Sequence, residues 1–192
     1  MPLEKLHLTA MEMTHSKTPE EISHLIVKIH DSIPNICDYP YNHRCRHVKP
    51  ALGYDGAAIA LSFLPAASEL SPSDPLRNDS YTYHRFRRDL YSMCEAAGVK
   101  VASRYVLPSA HLTIARFVNQ DLYKEGSIGK LVEGIEAINA MLMETTWVAS
   151  SESPQPVEWI VGEGKGLVCR KMKVWYGDGE SHYEGKGFPE VA

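Results

Sequence analysis

Apolar residues recur at helical spacing in three segments of the chain. Before the first segment, Thr18-Pro19-Glu20-Glu21 combines a cap residue, a proline at the first helical position and a capping-box glutamate. This pattern predicts a helix that begins at Thr18 and ends at Pro34, because proline interrupts the hydrogen bonding of a helix interior. The other two periodic segments predict helices over residues 80–97 and 127–146.

Apolar runs without helical spacing predict strands elsewhere. Residues 5–14 alternate, so Leu6 and Leu8 would share one face of a strand and His7 and Thr9 the other. Continuous or short apolar runs predict further strands at residues 57–64, 99–107, 109–118, 158–161, 167–170 and 173–176.

Residues 35–52 contain two prolines and are expected to be irregular. Three prolines with several serines predict a loop over 65–79. Strands and helices thus alternate without a strict βαβ rhythm, which predicts an α+β fold with mainly antiparallel sheets. A length of 192 residues suits one domain, possibly two-lobed in form, and we expect residues 1–192 to form a single bilobal unit. With 44% hydrophobic and 23% charged residues, extensive disorder is not expected.

Composition also limits where the protein acts. No apolar run reaches the roughly 18 residues of a membrane helix, and the first residues lack the pattern of a signal peptide. The four cysteines form no CxxC pair and are expected to be reduced thiols. These features predict a cytoplasmic protein, with a nuclear location left open, and no membrane partner.

Charge is spread unevenly along the chain. The net charge is −4, which argues against a protein that coats long duplex DNA. Residues 77–104 nevertheless carry +3, whereas residues 120–163 carry −6. The basic segment fits either a phosphate-bearing small substrate or RNA end, or a solvated helix face.

One short pentapeptide occurs twice. Leu6-His7-Leu8-Thr9-Ala10 is matched by Ala110-His111-Leu112-Thr113-Ile114. With nine histidines, roughly one His-x-Ser/Thr is expected by chance, and apolar flanks lower the expectation to roughly 0.1 per chain. Two occurrences are found, which is more than chance predicts.

The spacing of the motif has a chemical meaning. On a strand, residues i and i+2 share a face, so each motif presents one imidazole beside one hydroxyl. Of two imidazoles, one can act as general base and the other, protonated, as general acid. Hydroxyls can donate hydrogen bonds to non-bridging phosphate oxygens, where charge develops in the transition state. This chemistry requires no metal and no cofactor.

Two His-x-Thr motifs resemble the 2H phosphoesterase superfamily, and the chain is most similar to its fungal RNA ligase/cyclic nucleotide phosphodiesterase-like branch. The similarity extends from about residue 3 to 188 and includes five further segments, namely Thr14-His15-Ser16, Val48-Lys49-Pro50, Ala58–Pro65, Tyr81-Thr82-Tyr83-His84 and Ala102–Phe117. The family usually places a strand and a helix before its first motif, whereas six residues precede His7 here. We therefore expect a first lobe that is shortened at its N-terminus.

The resemblance implies a fold and a set of roles. It implies two pseudo-symmetric α+β lobes around a central cleft, each lobe supplying one motif. His7 and His111 would be the catalytic pair, and Thr9 and Thr113 the phosphate ligands. The substrates would be 2′,3′-cyclic phosphates of nucleotides or RNA ends, although some members act as ligases or cyclases.

Two other classes of function stay open. A non-catalytic protein that binds nucleotides or RNA ends would keep the cleft without turnover. A structural or interaction protein would carry the two motifs by accident, and its imidazoles would lie too far apart for one phosphate to bridge them. The oligomeric state and the assignment of acid and base are not determined by the sequence.

Several other residues have an ordinary structural alternative beside a functional one. Arg104 is a candidate phosphate ligand or a surface residue, Tyr105 a base-stacking or packing residue, and His84 a substrate contact or an exposed side chain. Arg116 follows the second motif on the face expected to lie opposite the histidine. The spacing from Cys37 to His47 matches no recognised closed zinc site, so we expect no metal there.

Overall fold

The computed structural model describes residues 1–67, 79–103, 110–121, 128–147, 157–172, 174 and 178–189. Over these residues the chain is a mixed α/β structure with a curled antiparallel sheet and helices, which confirms the predicted class. It divides into two compact units, each assembled from three stretches of chain. The first unit contains residues 1–8, 48–64 and 109–159, and the second contains residues 9–47, 65–108 and 160–192. A single bilobal domain stays a prediction.

The regular elements follow the chain in this order. The described helices are α1 (Pro19–Ile29), α2 (Ile33–Asp38), α3 (Tyr83–Ala96) and α4 (Ile128–Thr146). The described strands are β1 (Arg46–Tyr54), β2 (Ala58–Pro65), β3 (Ala110–Arg116), β4 (Glu158–Ile160), β5 (Val168–Lys171) and β6 (Glu180–Glu184). None of these helices has the length and hydropathy that crossing a bilayer requires.

Helix α1 begins as predicted, but its end differs. Thr18 Oγ1 accepts a hydrogen bond from the Glu21 backbone at 3.3 Å, and the Glu21 carboxylate accepts one from the Thr18 backbone at 2.8 Å. The helix ends at Ile29, before Pro34. Pro34 instead occupies the first turn of α2, where its missing N–H leaves no helical hydrogen bond unmade. The prediction that Pro34 ends α1 is therefore wrong.

Strands β3-β2-β1-β4 form one sheet in that order, and β5 and β6 form a separate antiparallel pair. Strand β1 was expected to be irregular because of Pro50, but it runs through this residue. Some of its backbone groups also bond to the side chains of Asn139 on α4 and of Trp147, the residue after α4. The Asn139 amide donates to Leu52 O at 3.0 Å and accepts from Leu52 N at 2.7 Å, and the Trp147 indole donates to Pro50 O at 2.9 Å. These contacts add to the pairing of β1 with β2 and β4.

The core of the second unit joins distant parts of the chain. Ile29, Ile33, Cys37 and Val99 are buried together. The Cys37 carbonyl accepts a hydrogen bond from Leu167 N at 2.9 Å, so α2 is joined to the segment that enters β5. Glycines make the close approach possible, because a Cβ at Gly185 would overlap the backbone of Cys37.

Two predicted strands differ from the structure, and a third lies mostly outside the described residues. Residues 5–14 contain only an isolated bridge at Leu8, after a 3₁₀ turn at Leu3–Lys5. Residues 99–103 form no strand, and 104–107 lie outside the described residues. The last strand is at Glu180–Glu184, whereas most of 173–176 lies outside the described residues, as does most of the loop expected at 65–79.

Candidate functional site

His7 and Leu8 of the first His-x-Thr motif lie in the first unit, beside the second motif. Leu8 and Leu112 form an antiparallel bridge, which joins the first motif to the outer edge of β3. In an antiparallel bridge, the residue before one partner lies opposite the residue after the other. His7 therefore lies across from Thr113. Side chains opposite each other share a face, with Cβ atoms roughly 4.5–5.5 Å apart, and diagonal neighbours are roughly 7–8 Å apart. His111 is the diagonal neighbour of His7.

Strand β2 pairs with β3 next to these residues. Ser62 pairs with His111 and Ala60 pairs with Thr113, so small side chains flank the polar ones on this face. The other face is apolar, because it carries the Leu61–Leu112 pair. His7, His111 and Thr113 are half-buried, so each keeps part of its surface exposed.

A β-bulge adds a cation to the same face. Ala60 pairs with Thr113 and Ile59 with Ala115, so Ile114 is the extra residue of β3. The bulge resets the alternation, and Arg116, which pairs with Ala58, comes onto the face of His111 and Thr113. The expectation that Arg116 faces away is therefore wrong, because strict alternation does not survive a bulge. We call the face that carries His7, His111, Thr113 and Arg116 the motif face.

The imidazole of His7 is oriented by the backbone. Its Nδ1 lies 2.9 Å from the carbonyl oxygen of Lys5, within the 3₁₀ turn that precedes the motif. A carbonyl only accepts hydrogen bonds, so Nδ1 carries the proton and donates. Nε2 is then the ring nitrogen that takes or gives a proton.

Asp55 adds a negative charge near the motif face. Its Oδ1 accepts hydrogen bonds from Ala57 N at 2.7 Å and Ala58 N at 2.8 Å. These two backbone bonds hold the pKa of Asp55 below its usual value, and the charges of Arg116 and His111 lower this pKa further. Sequence reasoning missed Asp55, although Asp-Gly between two apolar runs is a recognised hairpin signal.

The remaining predicted residues lie in the second unit or outside the described residues. Thr9 is the first residue of the second unit, so the unit boundary cuts the first motif. His84 is exposed on α3 in the second unit. Arg104 and Tyr105 lie outside the described residues, and their proposed roles stay predictions.

The segment considered for zinc has other contacts. His43 stacks on Tyr39, with ring centroids 3.9 Å apart, and precedes β1. Cys45 and His47 are buried, and burial raises the pKa of the Cys45 thiol to about 12. Among the residues that the structure describes, no three His, Cys, Asp or Glu side chains are grouped to hold a metal ion.

Comparison with models of known protein families, with curated proteins and with solved structures finds no match for this chain. A function for the motif face must therefore be argued from its own chemistry.

Proposed function

We propose that this chain is a metal-independent phosphodiesterase that hydrolyses 2′,3′-cyclic phosphates of nucleotides or RNA ends. The antiparallel bridge between Leu8 and Leu112 is the observation that carries the proposal, because it sets the two motifs side by side. In the geometry of an antiparallel ladder, His7 and His111 are then diagonal neighbours on one face, which are typically roughly 7–8 Å apart, with a somewhat shorter distance between Cβ atoms. A single phosphate group is large enough to contact both imidazoles across that gap.

The proposed reaction needs one proton acceptor and one proton donor. A neutral imidazole takes a proton from water as the water oxygen forms a bond to phosphorus. The P–O bond to one ribose oxygen breaks, and the imidazolium gives its proton to that oxygen. The product carries a 2′- or 3′-phosphate monoester and a free neighbouring hydroxyl, and the two histidines return to their starting protonation states before the next turnover.

The other residues of the motif face suit the developing charge. The non-bridging oxygens of the phosphate become more negative in the transition state. The Thr113 hydroxyl is a hydrogen-bond donor opposite His7, and the Arg116 guanidinium is a permanent cation on the same face. Thr9 is retained as a second phosphate ligand on the strength of the family resemblance. The bilobal architecture with a pseudo-two-fold axis and a central cleft belongs to the proposal for the same reason.

The hydrogen bond from His7 to the Lys5 carbonyl limits how His7 acts. It fixes Nδ1 as the protonated nitrogen, so the proton is exchanged at Nε2 whether His7 is acid or base. Such a bond also holds the ring plane, which reduces the conformational freedom that catalysis would otherwise have to restrict.

The test is turnover of the four 2′,3′-cyclic nucleotides in the presence of EDTA. We expect turnover by the wild type and a loss of about 10²–10⁴-fold in kcat for His7→Ala and for His111→Ala. His24→Ala is the matched control, since His24 is exposed on α1, and should keep full activity. Undiminished turnover by the His7→Ala/His111→Ala double variant would refute the mechanism. Binding of the substrate without turnover by the wild type would instead indicate a non-catalytic nucleotide-binding protein.

A further inference from the structure

Ser62 is the residue of β2 that lies directly across from His111. Side chains that are opposite each other in an antiparallel pair have Cβ atoms roughly 4.5–5.5 Å apart. Ser62 is half-buried, and no hydrogen bond of its hydroxyl is seen within the part of the chain that the structure describes. A serine hydroxyl both donates and accepts hydrogen bonds, so this group is available to a ligand that reaches His111.

The order of the strands decides which part of a ligand Ser62 can meet. The segment that carries His7 bridges the outer edge of β3, whereas β2 pairs with the inner edge of β3. Ser62 therefore lies on the side of His111 that is away from His7. A phosphate between the two imidazoles has Ser62 on its β2 side, and a group attached to that phosphate meets Ser62 where it extends over β2.

The surface beside Ser62 has room for such a group. Ala60, the next β2 residue on the motif face, carries only a methyl group. Asp55 N donates to Ala58 O at 3.0 Å, and two residues further along each strand this pairing sets Gly53 of β1 across from Ala60. A Cβ at Gly53 would meet nothing within 4 Å. The motif face is therefore open where β2 and β1 adjoin Ser62.

We infer that Ser62 binds the sugar of the substrate, with its hydroxyl hydrogen-bonded to a ribose oxygen beside His111. The inference rests on the proposed function, because it takes the phosphate to lie between His7 and His111. In a 2′,3′-cyclic phosphate the ribose is joined to phosphorus through two adjacent oxygens, so the sugar follows the phosphate directly. Ser62 then determines specificity, since it favours a phosphate ester of a sugar over inorganic phosphate.

Equilibrium binding separates a contact with the sugar from a contact with the phosphate. The probes are adenosine 3′-monophosphate, which has the chemistry of a reaction product, and inorganic phosphate, each titrated calorimetrically into the full chain. Ser62→Ala should weaken the binding of adenosine 3′-monophosphate by about fivefold, the loss expected for one hydrogen bond, and change the binding of inorganic phosphate by less than about twofold. Ser62→Thr keeps the hydroxyl and should bind both probes as the wild type does.

A matched pair of alanines tests the position of the sugar over β2. Ala60→Leu fills the surface beside Ser62 and should weaken the binding of adenosine 3′-monophosphate by about tenfold or more, through steric exclusion. Ala115→Leu adds the same side chain on the opposite face of the sheet, at an exposed position, and should leave this binding unchanged. Urea denaturation of each variant shows that a loss of binding is not a loss of folding.

The outcomes distinguish this inference from the proposed function. Unchanged binding of adenosine 3′-monophosphate in Ser62→Ala would overturn the inference, as would its failure to bind to the wild type. An equal loss for inorganic phosphate would also overturn it, because the hydroxyl would then contact the phosphate. If adenosine 3′-monophosphate binds with the expected dependence on Ser62 but the wild type hydrolyses no cyclic nucleotide, the proposed function fails and the contact of Ser62 with the sugar is retained.

Discussion

The buried imidazole of His47 should make the protein lose stability in mild acid. His47 is fully buried, and its ring packs edge-on against Tyr83 with centroids 4.4 Å apart. Burial lowers the pKa of His47 from 6.5 to about 4, because the charged form loses its hydration. In the unfolded chain the residue keeps its ordinary pKa, so the unfolded state binds the proton first as the pH falls.

The sign and size of this loss of stability follow from the linkage between proton binding and folding. Above pH 6.5 the imidazole is neutral in both states and contributes no pH dependence. Below that value the imidazole binds a proton in the unfolded state, whereas in the folded state it stays neutral until about pH 4. A pKa difference of about 2.5 units corresponds to about 3 kcal/mol, of which about 2 to 3 kcal/mol is lost by pH 4.5.

His47→Phe tests this, because phenylalanine keeps an aromatic ring next to Tyr83 and cannot titrate. Urea denaturation at pH 7.5, 6.5, 5.5 and 4.5 gives the free energy of unfolding of each protein. The wild type should lose about 2 to 3 kcal/mol more than His47→Phe over this range. His24→Phe, at an exposed position on α1, should follow the wild type. Parallel curves for the wild type and His47→Phe would refute the reasoning.

Two further predictions concern stability. Gly185→Ala should lower the free energy of unfolding by about 3 kcal/mol, because the new methyl group would overlap the Cys37 backbone. Gly53→Ala is the control: its methyl group meets nothing within 4 Å, so the free energy of unfolding should change by under about 1 kcal/mol. Equal denaturation midpoints for these two variants would contradict the packing described. Asn139→Ala should cost about 2 kcal/mol, since both backbone groups of Leu52 lose a partner, and urea denaturation of that variant should detect it.

The helices and strands with regular apolar spacing were predictable, because burial of one face imposes that spacing on the sequence. Helices α3 and α4 and strands β2 and β3 lie where the apolar spacing placed them. Strand β1 was missed because proline usually disfavours a strand interior, since it has no N–H to donate. The Pro50 carbonyl accepts a hydrogen bond from the Trp147 indole, a residue 97 positions away, which local pattern cannot reveal.

The candidate site was predictable in its residue types and less so in its geometry. The repeated pentapeptide picked out His7, His111 and Thr113, which the bridge at Leu8 sets on one face. Arg116 was assigned to the wrong face because the bulge at Ile114 depends on pairing with β2, not on the order of residues in β3. The segment containing His7 alternates like a strand, but the 3₁₀ turn before it leaves only a single bridge.

The contacts between distant parts of the chain have a consequence for how the protein is made. The Asp38 carboxylate at the end of α2 accepts a hydrogen bond from Lys186 N, 148 residues later. At a synthesis rate of about 5–20 residues per second, that separation corresponds to roughly 7 to 30 s on the ribosome. During this interval Ile33 and Cys37 lack the β5–β6 pair against which they pack. We therefore expect the second unit to complete its fold late, because its contacts join residues far apart in the sequence, and Ile33 and Cys37 to lack part of their packing until then.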